Sequence, residues 1–343
     1  MRNLMTCRAL IAAAAAALIG GCTGAATSAL TPRAVTAQGV TPALREHFPG
    51  PFWFDIVART NLHFASFYAC PFKGAIEYVS DASNNVIYVY NGKFAGQSPC
   101  GLIASASLSS PRGLFVNAAT HDLYVANWGA SNVLVFHKAR TSPYNTYSDP
   151  TAQNPNDVTV TDAGIVITSN EEASDLIERG SISTWIGGLN GGTFVSNFPM
   201  TNDFFGLFVT LKQNGMLYFN DVDATSGIGA LWKVSCPGGE CGAQTQMAGI
   251  SFGDPGGMVF NTSGKLLVND SLASAVETFN LPNPHPTTKH LPCCPLGMAL
   301  DNLHGHWFYT SFAYAAEYSY PGFALIGKVT GNNGAMFGIA VDP

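Results

Sequence analysis

Gly113-Leu114-Phe115-Val116, a turn from Asn117 to Asp122, Leu123-Tyr124-Val125-Ala126-Asn127 and Asn132-Val133-Leu134-Val135-Phe136 make one unit of short apolar runs broken by polar corners. Runs of this length, rich in β-branched and aromatic residues and bounded by Gly, Asn and Asp, read as successive strands of an antiparallel sheet. The unit recurs. Further copies begin at Asp157, Gly206, Gly257 and Gly297, at separations of 44, 49, 51 and 40 residues. That is the period of one four-stranded blade of a β-propeller, in which no blade buries its faces alone and neighbours stack around a ring.

A sixth copy is divided between the two ends of the sequence. Phe337-Gly338-Ile339-Ala340-Val341-Asp342 is an opening strand with nothing after it but Pro343. The missing strands lie near the start, in Glu77-Tyr78-Val79-Ser80-Asp81 and Asn85-Val86-Ile87-Tyr88-Val89-Tyr90, which match Leu123 to Asn127 and Asn132 to Phe136. Pairing the last strand with the first blade removes the open sheet edges that invite aggregation. The expected fold is an all-β, six-bladed β-propeller closed by the C-terminal strand, with Gly338 to Asp342 beside the strand containing Tyr78.

The N-terminus reads as a targeting segment. Arg2 and Arg8 precede an apolar run from Ala9 to Ile19, too short to cross a bilayer but of export-signal length. Leu18-Ile19-Gly20-Gly21-Cys22 resembles the bacterial lipobox, which implies diacylation of Cys22 and cleavage before it. An ordinary cleaved signal with an incidental cysteine is the alternative. The expected organisation is a lipoprotein signal over 1–21, a flexible tether rich in Ala, Thr and Pro over 22–50, and the propeller over 51–343. Thr23 in place of Asp points, by analogy, to an outer membrane, facing the periplasm or the cell surface. The aromatic stretch from Phe52 to Phe72 is expected to cover blade surfaces or to supply an outer strand.

Composition narrows the partners. Only 11% of residues are charged, the net charge is −6 and no Lys/Arg cluster occurs, so the charge term that holds nucleic-acid binders to phosphate is missing. The expected contacts are a membrane through the lipid, and a protein or small-molecule ligand of undetermined identity. Six cysteines remain after Cys7 and Cys22: Cys70, Cys100, Cys236, Cys241, Cys293 and Cys294. An even number in an exported chain suggests disulfides. Cys236 with Cys241 and Cys70 with Cys100 are the most local pairings; Cys293 and Cys294 could pair with each other or with separate partners.

From Ile76 to Pro343 the repeated Pro-x-Gly-apolar, Gly-x-Leu-Tyr-Val-x-Asn/Asp pattern resembles the NHL-repeat and gluconolactonase-like six-bladed propellers. In the lactonase branch that resemblance implies a divalent cation in the central channel, held by acidic and Asn residues just before the glycine opening each inner strand. Here those positions carry Arg112, Asn156, Phe205, Gly256, Leu296 and Phe337. Asn156 alone is an oxygen donor, whereas calcium takes six to eight oxygens. Arg112, Asn156, Phe205 and Phe337 at the channel mouth suit a small anionic or polar-aromatic ligand, or else plug the channel.

Other motifs are assigned to structure. Asp81, Asn127, Asn170, Asp221 and Asp270 close the second strands and are expected to serve hairpin turns rather than an ion. His285, His290, His304 and His306 are close in sequence but lack the Glu of a zinc-protease helix. Glu171, Glu172 and Asp175 read as a solvated acidic patch, and Gly187 to Gly192 as a hairpin loop. The leading expectation is a lipid-anchored binding module with no catalytic residues, cofactor or metal; the alternative is a metal-dependent lactonase-like hydrolase or lyase, for which calcium would be the ion.

Overall fold

The computed structural model describes residues 65–71, 74–92, 94, 98–151, 153–171, 180–200, 203–223, 228–292, 294–301, 303, 305–330 and 335–343. Cys22, the expected signal and tether, Glu172, Asp175, Cys293 and His304 lie outside the described residues, as does the side chain of Phe205.

Short apolar runs become strands that are buried on both faces, because each sheet is sandwiched between two others. Val86–Asn91 is buried at every position but its last, which explains why such a strand reads as a continuous apolar run rather than as an alternating one. Blade 2 runs outward from Pro111–Asn117 through Asp122–Asn127 and Asn132–Phe136 to Asn145–Ser148. Blades 3, 4, 5 and 6 repeat that order from inner strands Pro155–Val160, Asp203–Leu211, Pro255–Phe260 and Met298–Asp301.

Blade 1 is composite. Its inner strand is the C-terminal Met336–Asp342, followed outward by Ile76–Asp81, Val86–Asn91, Gly101–Ile103 and Phe67–Tyr68. Tyr78 lies opposite Ala340 and Val79 opposite Ile339, so the ring closes as the sequence predicts. The aromatic lead-in therefore supplies an outermost strand through Phe67–Tyr68. Each inner strand contacts the inner strands on either side, and the six complete a circle. Asp342, at the end of the closing strand, is pinned to blade 2 by His121 Nδ1 at 2.6 Å and Lys138 Nζ at 2.7 Å.

The core is divided into six apolar clusters, one at each blade interface. Leu114, Val125 and Leu134 meet Tyr78, Ile87 and Val89 between blades 1 and 2. Trp307 and Tyr309 meet Leu267 and Val276 between blades 5 and 6. Burying one such side chain contributes about 1.5–3 kcal/mol, so each interface is a substantial share of total stability. Two disulfides formed by the local pairings close loops at the periphery: Cys70–Cys100 in blade 1 and Cys236–Cys241 at the end of a blade 4 strand. Cys294 is disulfide-bonded as well.

The inner strands meet at a waist. A Cβ on Gly338 would stand 2.2 Å from the Arg112 carbonyl oxygen, and one on Gly297 2.3 Å from that of Phe337. Both neighbours are backbone and cannot swing away. Gly338→Ala is expected to destabilise the ring by about 1–3 kcal/mol, read as a lowered urea midpoint with unchanged slope.

Candidate functional site

Each inner strand forms one edge of its sheet, so its carbonyls need partners beyond the ladder. The residue just before the waist meets this need through the preceding blade. Ser80 Oγ of blade 1 donates to the Arg112 carbonyl at 2.6 Å, Ser169 Oγ of blade 3 to Leu207 at 3.0 Å, and Asn220 Nδ2 of blade 4 to Gly256 at 2.7 Å. Asn269 Nδ2 of blade 5 reaches Leu296 at 3.1 Å, and Thr310 Oγ1 of blade 6 reaches Phe337. These bonds form an inter-blade belt around the axis. In blade 2 the equivalent donor position is Ala126, which has nothing to give.

Arg112 bridges that gap. Its guanidinium donates to Asn156 Oδ1 of blade 3 at 2.7 Å and pairs with Glu171, also of the blade 3 segment. Asn156 Nδ2 in turn donates to the Leu207 carbonyl of blade 4 at 2.5 Å. Glu171 Oε2 accepts the Trp128 indole N–H at 2.8 Å, and the guanidinium carbon lies 4.3 Å from the Trp128 ring centroid and 5.1 Å from that of Phe337. Burial pulls the Arg112 guanidinium below its ordinary value, and Glu171 opposes that pull. Glu171 is thus a buried ion-pair partner, not the solvated surface acid expected from its Glu-Glu run. A loop acid carries no sequence mark of burial; the absence of a donor at Ala126 was the available signal.

The structure gathers Arg112, Asn156 and Phe337 at one end of the channel. The blade 4 position of this set is held by Leu207, not Phe205, because Val209 pairs with Phe219 as Leu114 pairs with Val125. A register shift between Gly206 and Val209 moves the frame, so Phe208 rather than Gly206 stands at the waist. Phe208 stacks on Phe337 with ring centroids 5.9 Å apart, and Leu296 packs in the same cluster. This end of the channel is filled.

Beyond the waist the channel opens into a cavity of about 450 Å³ lined by all six inner strands. Asp157 occupies the waist position that Gly113, Gly257, Gly297 and Gly338 hold in four other blades. Its Oδ2 accepts the Val209 N–H at 3.1 Å. Enclosure by protein pushes its carboxyl up to about 7, against the pull of the Val209 and Val158 N–H groups.

The remaining polar candidates have structural partners. Asp81 accepts Asn84 N–H at 3.0 Å within its own hairpin, and Asp270 accepts Ala273 N–H at 3.0 Å in the same way. Asn127 accepts Ser109 N–H at 2.6 Å and Asn170 donates to Ser183 Oγ at 2.8 Å. His285 and His290 are exposed, whereas His306 pairs with Glu317 at 2.8 Å. Gly187 to Gly192 connects two paired strands of blade 3 as a hairpin. Between blades 1 and 6, buried Glu77 feels the charge of Glu317, whose Oε2 accepts Phe94 N–H at 2.8 Å. Burial, then the charges of Glu317 and Asp301, push the Glu77 carboxyl up to about 9.

Fold and site together define a closed six-bladed β-propeller with one filled and one open channel end. No protein-family profile matches the chain and no curated protein is similar to it in sequence. Among solved structures, a chain of the nidogen/laminin complex is similar at 12% identity, over 79% of this chain and 99% of that one, with a TM-score of 0.61. A Bacteroides caccae protein of unknown function is similar at 11% identity, over 78% and 99%, with a TM-score of 0.55. A proposed gluconolactonase is similar at 16% identity, over 66% and 80%, with a TM-score of 0.49. The first two likenesses show the shared fold, and none of the three assigns an activity.

Glu171→Gln is expected to destabilise the fold by about 3–5 kcal/mol, because it leaves Arg112 buried beside a neutral amide. The double change Arg112→Met with Glu171→Met should recover most of that loss, measured as a double-mutant cycle in urea. Glu77 sets a pH dependence. Its folded pKa, about 9, lies above the ordinary 4.5, so the folded state holds the extra proton between those limits. Stability is therefore full below about 4.5 and falls as pH rises through the window. Asp254, pushed up to about 8 by burial and then Asp270, acts in the same direction. The thermal midpoint should decline from pH 5 to pH 9, and Glu77→Gln should flatten the decline.

Proposed function

We propose that this chain is an exported, lipid-anchored propeller that binds a ligand or partner at the cell envelope without transforming it. The observation that carries this reading is the guanidinium of Arg112, already matched by Glu171, at a belt position where the lactonase resemblance needs an oxygen ligand. A fixed positive charge there opposes a divalent cation, and Leu207, Leu296 and Phe337 add no oxygen side chains. The disulfides suit an oxidising compartment outside the cytoplasm. A ring of this shape also occurs in the nidogen/laminin complex, which accords with a binding use of the fold. Cys22, diacylated within the lipobox-like run, would hold the ring at the membrane, since each buried acyl methylene contributes about 0.8 kcal/mol.

Two measurements test this. Cells fed labelled palmitate should yield a labelled protein in the membrane fraction, and Cys22→Ser should lose the label and leave that fraction; an unlabelled wild-type chain overturns the anchoring. Calorimetric titration with calcium should give no saturable heat, and a chelator should move the thermal midpoint by no more than about 1 °C. Micromolar binding abolished by Asn156→Ala would instead establish the lactonase-like alternative.

A further inference from the structure

The open half of the channel holds a carboxyl where the repeat calls for glycine. Four of the other blades make the waist with Gly113, Gly257, Gly297 and Gly338, and blade 4 does so with Phe208, so closing the ring does not require an acid. Asp157 nevertheless stands there, on the wall of the 450 Å³ cavity, with part of its surface accessible. Among the described residues lining that cavity, the acidic and basic side chains are those of Asp157, Asp162 and Lys212. Asp162 and Lys212 follow the ends of the blade 3 and blade 4 inner-strand runs, at the mouth. Val209, which binds Asp157, is three residues from Lys212, roughly 10 Å along an extended strand.

The walls of this tube have an unusual chemistry for a cavity. The inner strands are the free edges of their sheets, so backbone N–H and C=O groups lie along the depth of the tube beside apolar residues such as Val160, Leu211 and Val259. A tube of this size lies within the range that holds a small ligand. Its single carboxyl at the closed end selects among ligand charges. An anion would meet Asp157 and a protein of net charge −6, and a divalent cation would find one carboxylate where it wants several. A compact ammonium group finds an opposite charge in an enclosed site, where such a pair is stronger than in water.

The geometry points to a binding site for a small primary amine, with its ammonium on Asp157 at the waist and its stem extended along the strand edges toward Lys212 at the mouth. This deepens the binding-module reading and rests on it. It also has a titration signature. Asp157 is pushed up to about 7, while an alkylammonium stays charged to about 10, so binding near neutrality displaces a proton from Asp157. Raising the pH from 5 to 8 ionises the carboxyl and strengthens the complex.

The test uses the full chain in detergent, n-butylammonium chloride as probe and 1-butanol as its uncharged counterpart, followed by saturation-transfer NMR at constant ionic strength. Butylammonium is expected to bind in the millimolar range at pH 8, at least about tenfold tighter than at pH 5 and about tenfold tighter than butanol. Asp157→Gly, which restores the residue of the sister positions, should keep the fold by thermal unfolding and weaken butylammonium by at least about tenfold. Should that variant fail to fold, Asp157→Asn makes the same comparison. Equal binding of the two probes, no saturable binding, or binding unchanged in the variant overturns the site. None of these results alters the palmitate or calcium measurements, so failure of the amine site and failure of the binding-module reading are separately visible.

Discussion

The ring depends on the bond between a polar side chain on the second strand of one blade and a carbonyl on the inner strand of the next. Inner strands sit at a sheet edge, and their carbonyls near the waist are buried, where a lost partner costs about 1–3 kcal/mol. Ser80, Ser169, Asn220, Asn269 and Thr310 supply five such partners. Because each bond crosses a blade interface, the belt sets the spacing and rotation of neighbouring sheets as well as satisfying the backbone. The apolar clusters then fill the wedge-shaped space outside it. Glycine at the waist follows from the same constraint: strands this close leave no volume for a Cβ.

Blade 2 shows what happens when the belt lacks a donor. Ala126 cannot reach forward, and a side chain from the inner strand itself, Arg112, makes the crossing to Asn156 and Glu171. A buried guanidinium brings further requirements, because an unmatched charge there would destabilise the fold more than the missing hydrogen bond does. Glu171 supplies the opposite charge, Trp128 bonds Glu171 and lies near the guanidinium, and the Phe337 ring lies near it as well. A group of residues that looks like a ligand site in the sequence thereby acquires a structural cause. The same group fills one channel end and leaves the cavity beyond the waist as the concave surface available to a ligand.

Much of this was legible without coordinates. The blade period, the divided sixth copy and the closure of Phe337 to Asp342 against Tyr78 follow from repeated apolar runs, because strands such as Val86–Asn91 and Asn132–Phe136 are packed between neighbouring sheets and are largely apolar. The corner residues Asp81 and Asp270 and the local cysteine pairs were legible for a related reason: their partners lie a few residues away or bracket one blade. The blade 4 frame was not. Gly206 looks like its sister glycines, but the waist position falls on Phe208, and only strand pairing reveals the offset.

Local pattern therefore determined the class of fold, the number of blades and the place of closure, since these depend on residue type at short range. Tertiary structure decided which polar residues are partners: that Glu171, 59 residues from Arg112, is buried against it, and that Asp157 faces a cavity instead of a neighbouring turn. The reason is physical. Burial and charge pairing arise where separate blades meet, and the meeting is set by ring closure, which no single segment of the chain encodes.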